Sequence, residues 1–362
     1  MNRIAPRTLA TRPLAAPLLA CLVTCLLAAG ASPAAHAKDT TTPLAVGAGF
    51  DPVAAAGTGF ELPDARALKG ITRVAVPVFS VEFVTADNVS AQTSGFGAAG
   101  RATSSLYYKL IGMDTPDFQA ITNTLYARFL ADLQASGLQV VAPDTLKASP
   151  AYAKLVAGGA PGSIKGDSTQ QMSPTGLGIY GFARMGGGNS SQGKSIFGAL
   201  ADVGAGFAAV GAVGDSIALS QELDASLIEV RMRVNFVQLS DDNRGFLGRL
   251  SGTASASAKV SPRIDNVMMG VQSKEWRSTL TLKHTLTLDG SAFAEVREKA
   301  TTAGDVAGAV AVGLLRLATG SKDTSSSSEM EVVAHPAAYP AVVGSGLASA
   351  TGMLVARLKS ER

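Results

Sequence analysis

A segment near the middle of the sequence matches the phosphate-binding loop of nucleotide-binding proteins. It reads Gly-Asn-Ser-Ser-Gln-Gly-Lys-Ser over residues 188–195. In that motif glycine amides surround a phosphate, the lysine neutralises it and the last hydroxyl binds Mg²⁺. The residues that would do this are Gly188, Gly193, Lys194 and Ser195. The context opposes this interpretation, because glycines at 186–188 stand where a strand must enter the loop and the glycine-rich residues that follow make a weak helix.

Other candidate motifs have simpler explanations. Gly95–Gly100 fits the glycine pattern of dinucleotide-binding loops, but no strand leads directly into it, and the pyrophosphate site needs a strand, a tight turn and a helix in succession. His284 lies alone among leucines, whereas a metal site needs three or four ligands. No Gly-x-Ser-x-Gly segment marks a nucleophilic serine. We therefore predict a protein that is not an enzyme and has no cofactor or metal, with nucleotide binding at residues 188–195 kept as a minor alternative.

The amino-terminal sequence has the three parts of a secretory signal peptide. Three arginines precede an uncharged stretch over residues 13–35, and small residues then end at Ala37. A membrane anchor is the alternative, but Pro17 and Gly30 interrupt the apolar run and leave it short for a span. A weak lipoprotein signal ends at Cys21, although the apolar run continues past it. We predict cleavage after Ala37 rather than lipidation of Cys21, and a periplasmic protein whose association with the outer membrane stays open.

The composition excludes several classes of protein. Of 362 residues, 46% are hydrophobic and 16% are charged, which excludes a disordered polyelectrolyte. Removing residues 1–37 removes three arginines and no acidic residue, so the formal charge of +3 belongs to the signal peptide. The mature chain is neutral, and nothing in its charge favours nucleic acid as a partner. Both cysteines also lie in the signal peptide, which suits an oxidising compartment.

The first half of the mature chain predicts a strand, a helix and a second strand. Residues 38–65 are rich in Thr, Pro, Ala and Gly and predict an extended leader. Ile71–Phe83 predicts a strand in which Pro77 needs an edge position or a bulge. A loop is expected over 85–105, and then a helix with Thr115 as N-cap and Pro116 at its first position. Its apolar stripe comprises Phe118, Ile121, Leu125, Phe129 and Leu133, and Gly137 ends the helix before a short strand at 138–141.

The remaining elements follow from similar patterns. Asp144 is expected to cap a second helix that runs to Leu155, and a Gly/Ser-rich insertion follows over about 157–224. In the clearest strand, Ile228, Val230, Met232, Val234 and Phe236 face one way, and Glu229, Arg231, Arg233 and Asn235 the other. A turn at 241–245 and a return strand at 246–260 complete a long hairpin, and 279–289 predicts a further strand. Helices are predicted over 291–318 and 338–359, with a serine-rich turn at 322–328 between them.

Four of these segments, in this order, resemble the curli-secretion-channel family and related TolB amino-terminal-like periplasmic domains. They are Arg73–Phe79, the helix Phe118–Ser136, the stretch Gly137–Leu146 and the long strand Ala225–Leu239. The resemblance covers about a third of the mature chain, and it leaves residues 147–224 without a counterpart. It implies a component of envelope assembly or transport rather than an enzyme.

Together these observations predict an α/β protein, with α+β as the alternative. We expect one domain over residues 66–360, with a mixed sheet, a long β-hairpin and helices on at least one face. We expect a non-catalytic envelope protein that supports secretion, assembly or surface structure through contacts with other envelope proteins or with itself. The hairpin Ile228–Val260 and the small-residue segment 196–219 are the expected contact surfaces. The alternative function is a soluble periplasmic ligand-binding protein or enzyme with a site in the loop 157–195.

Overall fold

A mixed sheet of ten strands forms the centre of the protein. The computed structural model describes residues 42–93, 102–157, 162–179, 206–239, 258–299 and 324–362, all within one compact unit, Thr41–Arg362. The strands are β1 (Leu44–Ala45), β2 (Phe60–Glu61), β3 (Arg73–Val84), β4 (Ala86–Thr93), β5 (Ala102–Ile111), β6 (Gln139–Val140), β7 (Ser163–Lys165), β8 (Thr169–Met172), β9 (Ser226–Leu239), β10 (Ala258–Gln272), β11 (Arg277–Leu282), β12 (Leu286–Thr287), β13 (Phe293–Glu298) and β14 (Thr324–Ala334). The α-helices are α1 (Pro52–Gly59), α2 (Thr115–Ala135), α3 (Pro143–Lys147), α4 (Pro150–Ala157), α5 (Gly206–Leu223) and α6 (Ala338–Glu361).

The pairing of the strands shows the α/β class that the sequence predicts. The central sheet has the order β1-β12-β10-β9-β3-β8-β7, and β11, β2 and β6 pair at its margins. β3 and β9 are parallel, whereas β9 and β10 are antiparallel. The sequence predicts the return strand over 246–260, but β10 runs over Ala258–Gln272 and begins with Ala258 opposite Leu239, so it overlaps the prediction only at 258–260 among the described residues. A second sheet has the order β13-β14-β5-β4. The predicted turn at 241–245 lies outside the described residues.

Pro77 interrupts β3 in the way its chemistry requires. The parallel register with β9 shifts between Ala75 and Val78, so that Pro77 lies in a bulge of an interior strand. Proline has no N–H to donate to a sheet ladder, and a bulge removes that demand. The bulge lets the strand continue past Pro77 to Val84.

Helix α2 covers one face of the central sheet. Its predicted apolar stripe is buried in full: Phe118, Ile121, Leu125, Phe129 and Leu133. Phe79 and Phe83 of β3 meet this stripe, with the rings of Phe83 and Phe118 stacked at a centroid distance of 4.5 Å. The predicted N-cap is wrong by one residue: Asp114 caps the helix, and Asp117 closes a reciprocal capping box with it. Gly137 ends this region with a φ of +91°, as expected.

The helix predicted after Asp144 is two short helices. The N-cap of α3 is Ala142, without a side-chain hydrogen bond, so the expected cap by Asp144 is wrong. Pro150 begins α4, because a proline disfavours helical backbone in the residue before it. The hydroxyl of that preceding residue, Ser149, accepts a hydrogen bond from the amide of Tyr152 at 3.1 Å.

The second sheet contains segments that the sequence does not predict as strands. β4 and the first four residues of β5 lie where the loop is expected over 85–105. β14 replaces the serine-rich turn at 322–328, and β13 begins where a helix over 291–318 is predicted. Serines at 325–328 pair in parallel with residues 103–106 of β5, so long-range backbone hydrogen bonds override the low strand propensity of this stretch.

The stretch predicted as an extended leader is structured. Asp51 caps α1 by accepting hydrogen bonds from the amides of Val53 and Ala54. This helix lies against the carboxyl-terminal helix α6, where Arg357 donates a hydrogen bond to the carbonyl of Gly57 at 2.9 Å. The leader prediction is therefore wrong over Pro52–Gly59, because tertiary packing stabilises a short helix that propensity alone does not.

Helix α6 is the core helix predicted near the carboxyl terminus. Tyr339, Val343, Leu347, Met353, Leu354 and Leu358 are buried along it. It is the one described helix that is long and apolar enough to cross a membrane, and 56% of its most apolar window is buried inside the protein. The insertion at 157–224 contributes β7, β8 and α5, and β8 pairs with β3 inside the central sheet.

Candidate functional site

The two faces of the central sheet differ in chemistry. Along β3, Phe79, Val81 and Phe83 face α2. Ser80 and Glu82 alternate with them and therefore point to the opposite face. The register with β9 sets Ser80 beside Arg231 and Glu82 beside Arg233. A charged face thus lies back to back with the apolar core.

Glu82 is the most unusual residue of this charged face. It is 4% exposed, and it pairs across the sheet with Arg233 of β9 and Gln171 of β8. Its Oε2 atom is buried and has no hydrogen-bond partner among the residues that the structure describes. A buried carboxylate without donors is costly when it is ionised. Glu82 is therefore poised to hold a proton.

The surroundings of Glu82 change its acidity in three ways. Burial raises its pKa, the positive charge of Arg233 lowers it, and the negative charge of Asp265 raises it, with the pKa brought to about 7. Desolvation dominates these contributions. Glu82 consequently changes its charge near neutral pH, whereas an ordinary glutamate does so well below it.

Asp265 reaches this face because β10 carries a bulge. The register with β9 shifts between Ile264 and Asn266, which leaves Asp265 as the extra residue. Its Oδ2 accepts a hydrogen bond from the Nδ2 of Asn235 at 3.1 Å. Its two oxygens also lie 3.9 Å from the Nε of Arg233 and 3.8 Å from an Nη of Arg263. Asp265 thus lies among several positive or hydrogen-bond-donating groups.

Asn235 and Arg231 complete the face. The Oδ1 of Asn235 accepts hydrogen bonds from the amides of Phe236 at 2.7 Å and Val237 at 3.3 Å, which orients its Nδ2 toward Asp265. Arg231 is 3% exposed and lies 3.8 Å from Glu229. The ion pairs of the face are long, so charge compensation is spread over several groups rather than held in one tight pair.

This arrangement can bind and release a proton, and it holds opposite charges in a buried layer. Among the described residues, no group of three or more His, Cys, Asp or Glu side chains could hold a metal ion. The alternation of polar residues on β9 is a correct prediction, and Ser80 and Glu82 could have been found from the same alternation on β3. Asp265 could not, because it depends on a bulge that the sequence does not mark.

Most of the predicted site residues lie outside the part of the chain that the structure describes. Gly188, Gly193, Lys194 and Ser195 lie outside the described residues, as does the glycine motif at 95–100. His284 lies between β11 and β12, where its Nδ1 is 3.1 Å from the carbonyl oxygen of Thr42. The strand predicted over 279–289 is therefore two strands with a break between them.

The hairpin expected as an exposed contact surface is interior over its described part. β9 lies between β3 and β10, and both faces of its central residues are largely buried. The loop proposed for ligand binding is packed over 170–174 and 177–179, where the amide of Gly178 donates to the hydroxyl of Tyr152, and exposed over 165–168 and 175–176. Residues 180–195 of that loop lie outside the described residues, as do 196–205 of the small-residue segment.

Comparison with known proteins adds no relative: no family model matches the chain, and no curated protein or solved structure matches it.

Proposed function

We propose that the protein is an exported, non-catalytic component of the bacterial cell envelope that supports secretion, assembly or surface structure through protein–protein contacts. The amino-terminal pattern of arginines, apolar residues and small residues supports export to the periplasm. The observation that carries the contact function is the form of the second sheet, whose two edge strands differ in their protection against pairing.

One edge of that sheet is protected, and the other is open beyond Ala86, whose amide donates to the carbonyl of Ser168. β13 is short, has a bulge after Phe293 and carries Glu295, Arg297 and Glu298, which are features that block edge pairing. β4 is the edge strand on the other side among the strands that the structure describes, and it pairs with β5 without interruption from Ala86 to Thr93. It contains no lysine, arginine or proline, and Asp87 is its one charged residue. Such an edge offers backbone donors and acceptors to another strand.

The first experiment locates the protein. The full chain, with its own amino terminus, is expressed in a Gram-negative bacterium, and salt-washed envelopes are fractionated by flotation. We expect the mature chain in the outer-membrane fraction, cross-linked to itself or to another envelope protein. Recovery as a monomer in the soluble periplasm would overturn the proposal and favour a ligand-binding protein or enzyme.

The second experiment tests the open edge. Ser90→Lys on β4 should lower the cross-linked fraction several-fold, because a charged lysine on an edge strand opposes pairing with another strand. The matched control is Ala294→Lys on the protected edge, where the side chain is exposed and no loss is expected. Equal cross-linking of both variants would place the contact elsewhere on the protein, even if flotation succeeds.

A further inference from the structure

The charged face of the central sheet brings ionisable side chains of three strands together. Glu82 on β3, Arg233 on β9 and Asp265 on β10 lie together there, and ionising all three costs free energy. One arginine lies beside two carboxylates. When both carboxylates are ionised they repel each other and share one arginine, because like charges in a buried site disfavour ionisation.

The two carboxylates differ in their surroundings. The Oδ2 of Asp265 accepts a hydrogen bond from the Nδ2 of Asn235 and lies 3.8 Å from Arg263, while its buried Oδ1 has no hydrogen-bond partner among the described residues and lies 3.9 Å from Arg233. Glu82 has a buried Oε2 without a hydrogen-bond partner among the described residues. The proton therefore resides on Glu82, and Arg233 stays with Asp265.

We propose that Glu82, Arg233 and Asp265 form a proton-operated latch across β3, β9 and β10, closed while Glu82 is protonated and loosened when its proton leaves. In the closed state Arg233 compensates Asp265 alone. When Glu82 ionises, Arg233 faces two carboxylates, and a second negative charge enters a layer that excludes water. The consequence is a weaker association of the three central strands above neutral pH.

The other polar groups on this face do not offset the negative charge that Glu82 gains when it ionises. They are Glu229 and Arg231 of β9, Arg263 of β10 and the neutral Gln171 of β8 and Ser80 of β3. Gln171 donates through its Nε2 to the hydroxyl of Ser80 at 3.3 Å, so this amide is engaged away from Glu82. Arg231 lies beside Glu229, which compensates it locally. Glu82 is the member of the face whose charge changes near neutral pH.

The sign of the pH dependence follows from linkage. The pKa of Glu82 is about 7 in the folded protein against an ordinary value of 4.5, so the folded protein binds the extra proton between these limits. Stability is then highest at low pH within this window and falls as the pH rises toward 7. Between pH 5 and pH 8 the unfolding equilibrium constant should rise on the order of a hundredfold from this group.

The test compares the full chain with Glu82→Gln by urea unfolding at pH 5 and at pH 8. The wild-type protein should lose stability at pH 8, and Glu82→Gln should lack most of that loss, because its amide stays neutral at both values. Glu61→Gln on β2 is the matched control, since Glu61 is exposed and should leave the wild-type profile unchanged. An identical pH dependence in the wild-type protein and Glu82→Gln would overturn the latch.

A second variant keeps the proposal testable if Glu82→Gln folds poorly. Asp265→Asn removes the negative charge that raises the pKa of Glu82, so the loss of stability between pH 5 and pH 8 should end at a lower pH and be smaller than in the wild-type protein. Hydrogen exchange, corrected for intrinsic rates, should show more protected amides in β3 and β9 at pH 5 than at pH 8 in the wild-type protein. Equal protection at both values would also contradict the latch.

Discussion

The side chain of Leu288 lies directly over Gly346 of α6: a Cβ added to this glycine would stand 2.5 Å from Cδ2 of Leu288. Leu288 is itself buried, so it cannot swing into solvent. The close approach of helix α6 to the end of β12 thus depends on the missing side chain. Gly344, two positions earlier on the same helix and on another face, has open space around it.

This contrast predicts opposite effects of the same substitution. Gly346→Ala should destabilise the protein by about 1–3 kcal/mol, because a buried leucine must move to admit the methyl group. Gly344→Ala should stabilise it by up to about 1 kcal/mol, because alanine is the better helix former. Urea unfolding of both variants measures the difference. Equal effects of the two changes would contradict the packing at Leu288.

The beginning of α2 predicts a second contrast. Asp114→Ala removes the capping box with Asp117 and should lower the free energy of unfolding by about 1 kcal/mol. Asp144→Ala should change it by less than about 0.5 kcal/mol, because Asp144 is exposed and its ion pair with Lys147 is a surface pair. Urea unfolding midpoints of both variants test this expectation. A larger loss in Asp144→Ala would show that this residue, rather than Asp114, is the important cap.

Trp276 is the single tryptophan of the chain and predicts a fluorescence result. It is 40% exposed, and the guanidinium of Arg66 lies 3.7 Å from its ring centroid. The Nε and Nη2 of Arg66 donate hydrogen bonds to the carboxylate of Asp64, which holds the guanidinium in place. Arg66→Ala should therefore increase quenching of the fluorescence by acrylamide, with little change in stability.

The control for this experiment is Lys69→Ala, which removes an exposed positive charge from the same stretch of chain. It should leave the quenching constant at its wild-type value. The quenching constant of Asp64→Asn should fall between those of the two other variants, because Arg66 loses its ion pair with Asp64 but keeps its contact with the ring. Unchanged quenching in Arg66→Ala would mean that the guanidinium does not cover the ring in solution.

The strongest predictions came from residues that repeat at the period of one element. The stripe Phe118 to Leu133 defined the buried face of α2, and the alternation on β9 placed Glu229, Arg231, Arg233 and Asn235 on one face. Both patterns are local, because side-chain direction in a helix or strand follows from backbone geometry. Pro77 was similarly informative, since its missing N–H demands a bulge or an edge.

The failures share a different cause. The serine-rich β14 and the polar β4 lack a strong strand signal; β14 pairs because the distant β5 supplies its backbone partners, and β4 pairs with the neighbouring β5. The helix α1 is too short to be stable alone and forms against α6. The same limit applies to the site, where Asp265 joins Glu82 through a bulge in β10.

The sequence by itself determined the α/β class, the apolar face of α2, the polar face of β9 and the positions where glycine or proline is required. These follow from periods of two and 3.6 residues and from the backbone limits of single residue types. The tertiary structure alone decided which strands became neighbours and therefore which charges meet. Glu82 and Asp265 are 183 positions apart in the chain, and the pairing of β3, β9 and β10 brings them to one buried face. The raised pKa of Glu82 arises from this arrangement, because desolvation and the two neighbouring charges act on it only in the folded protein.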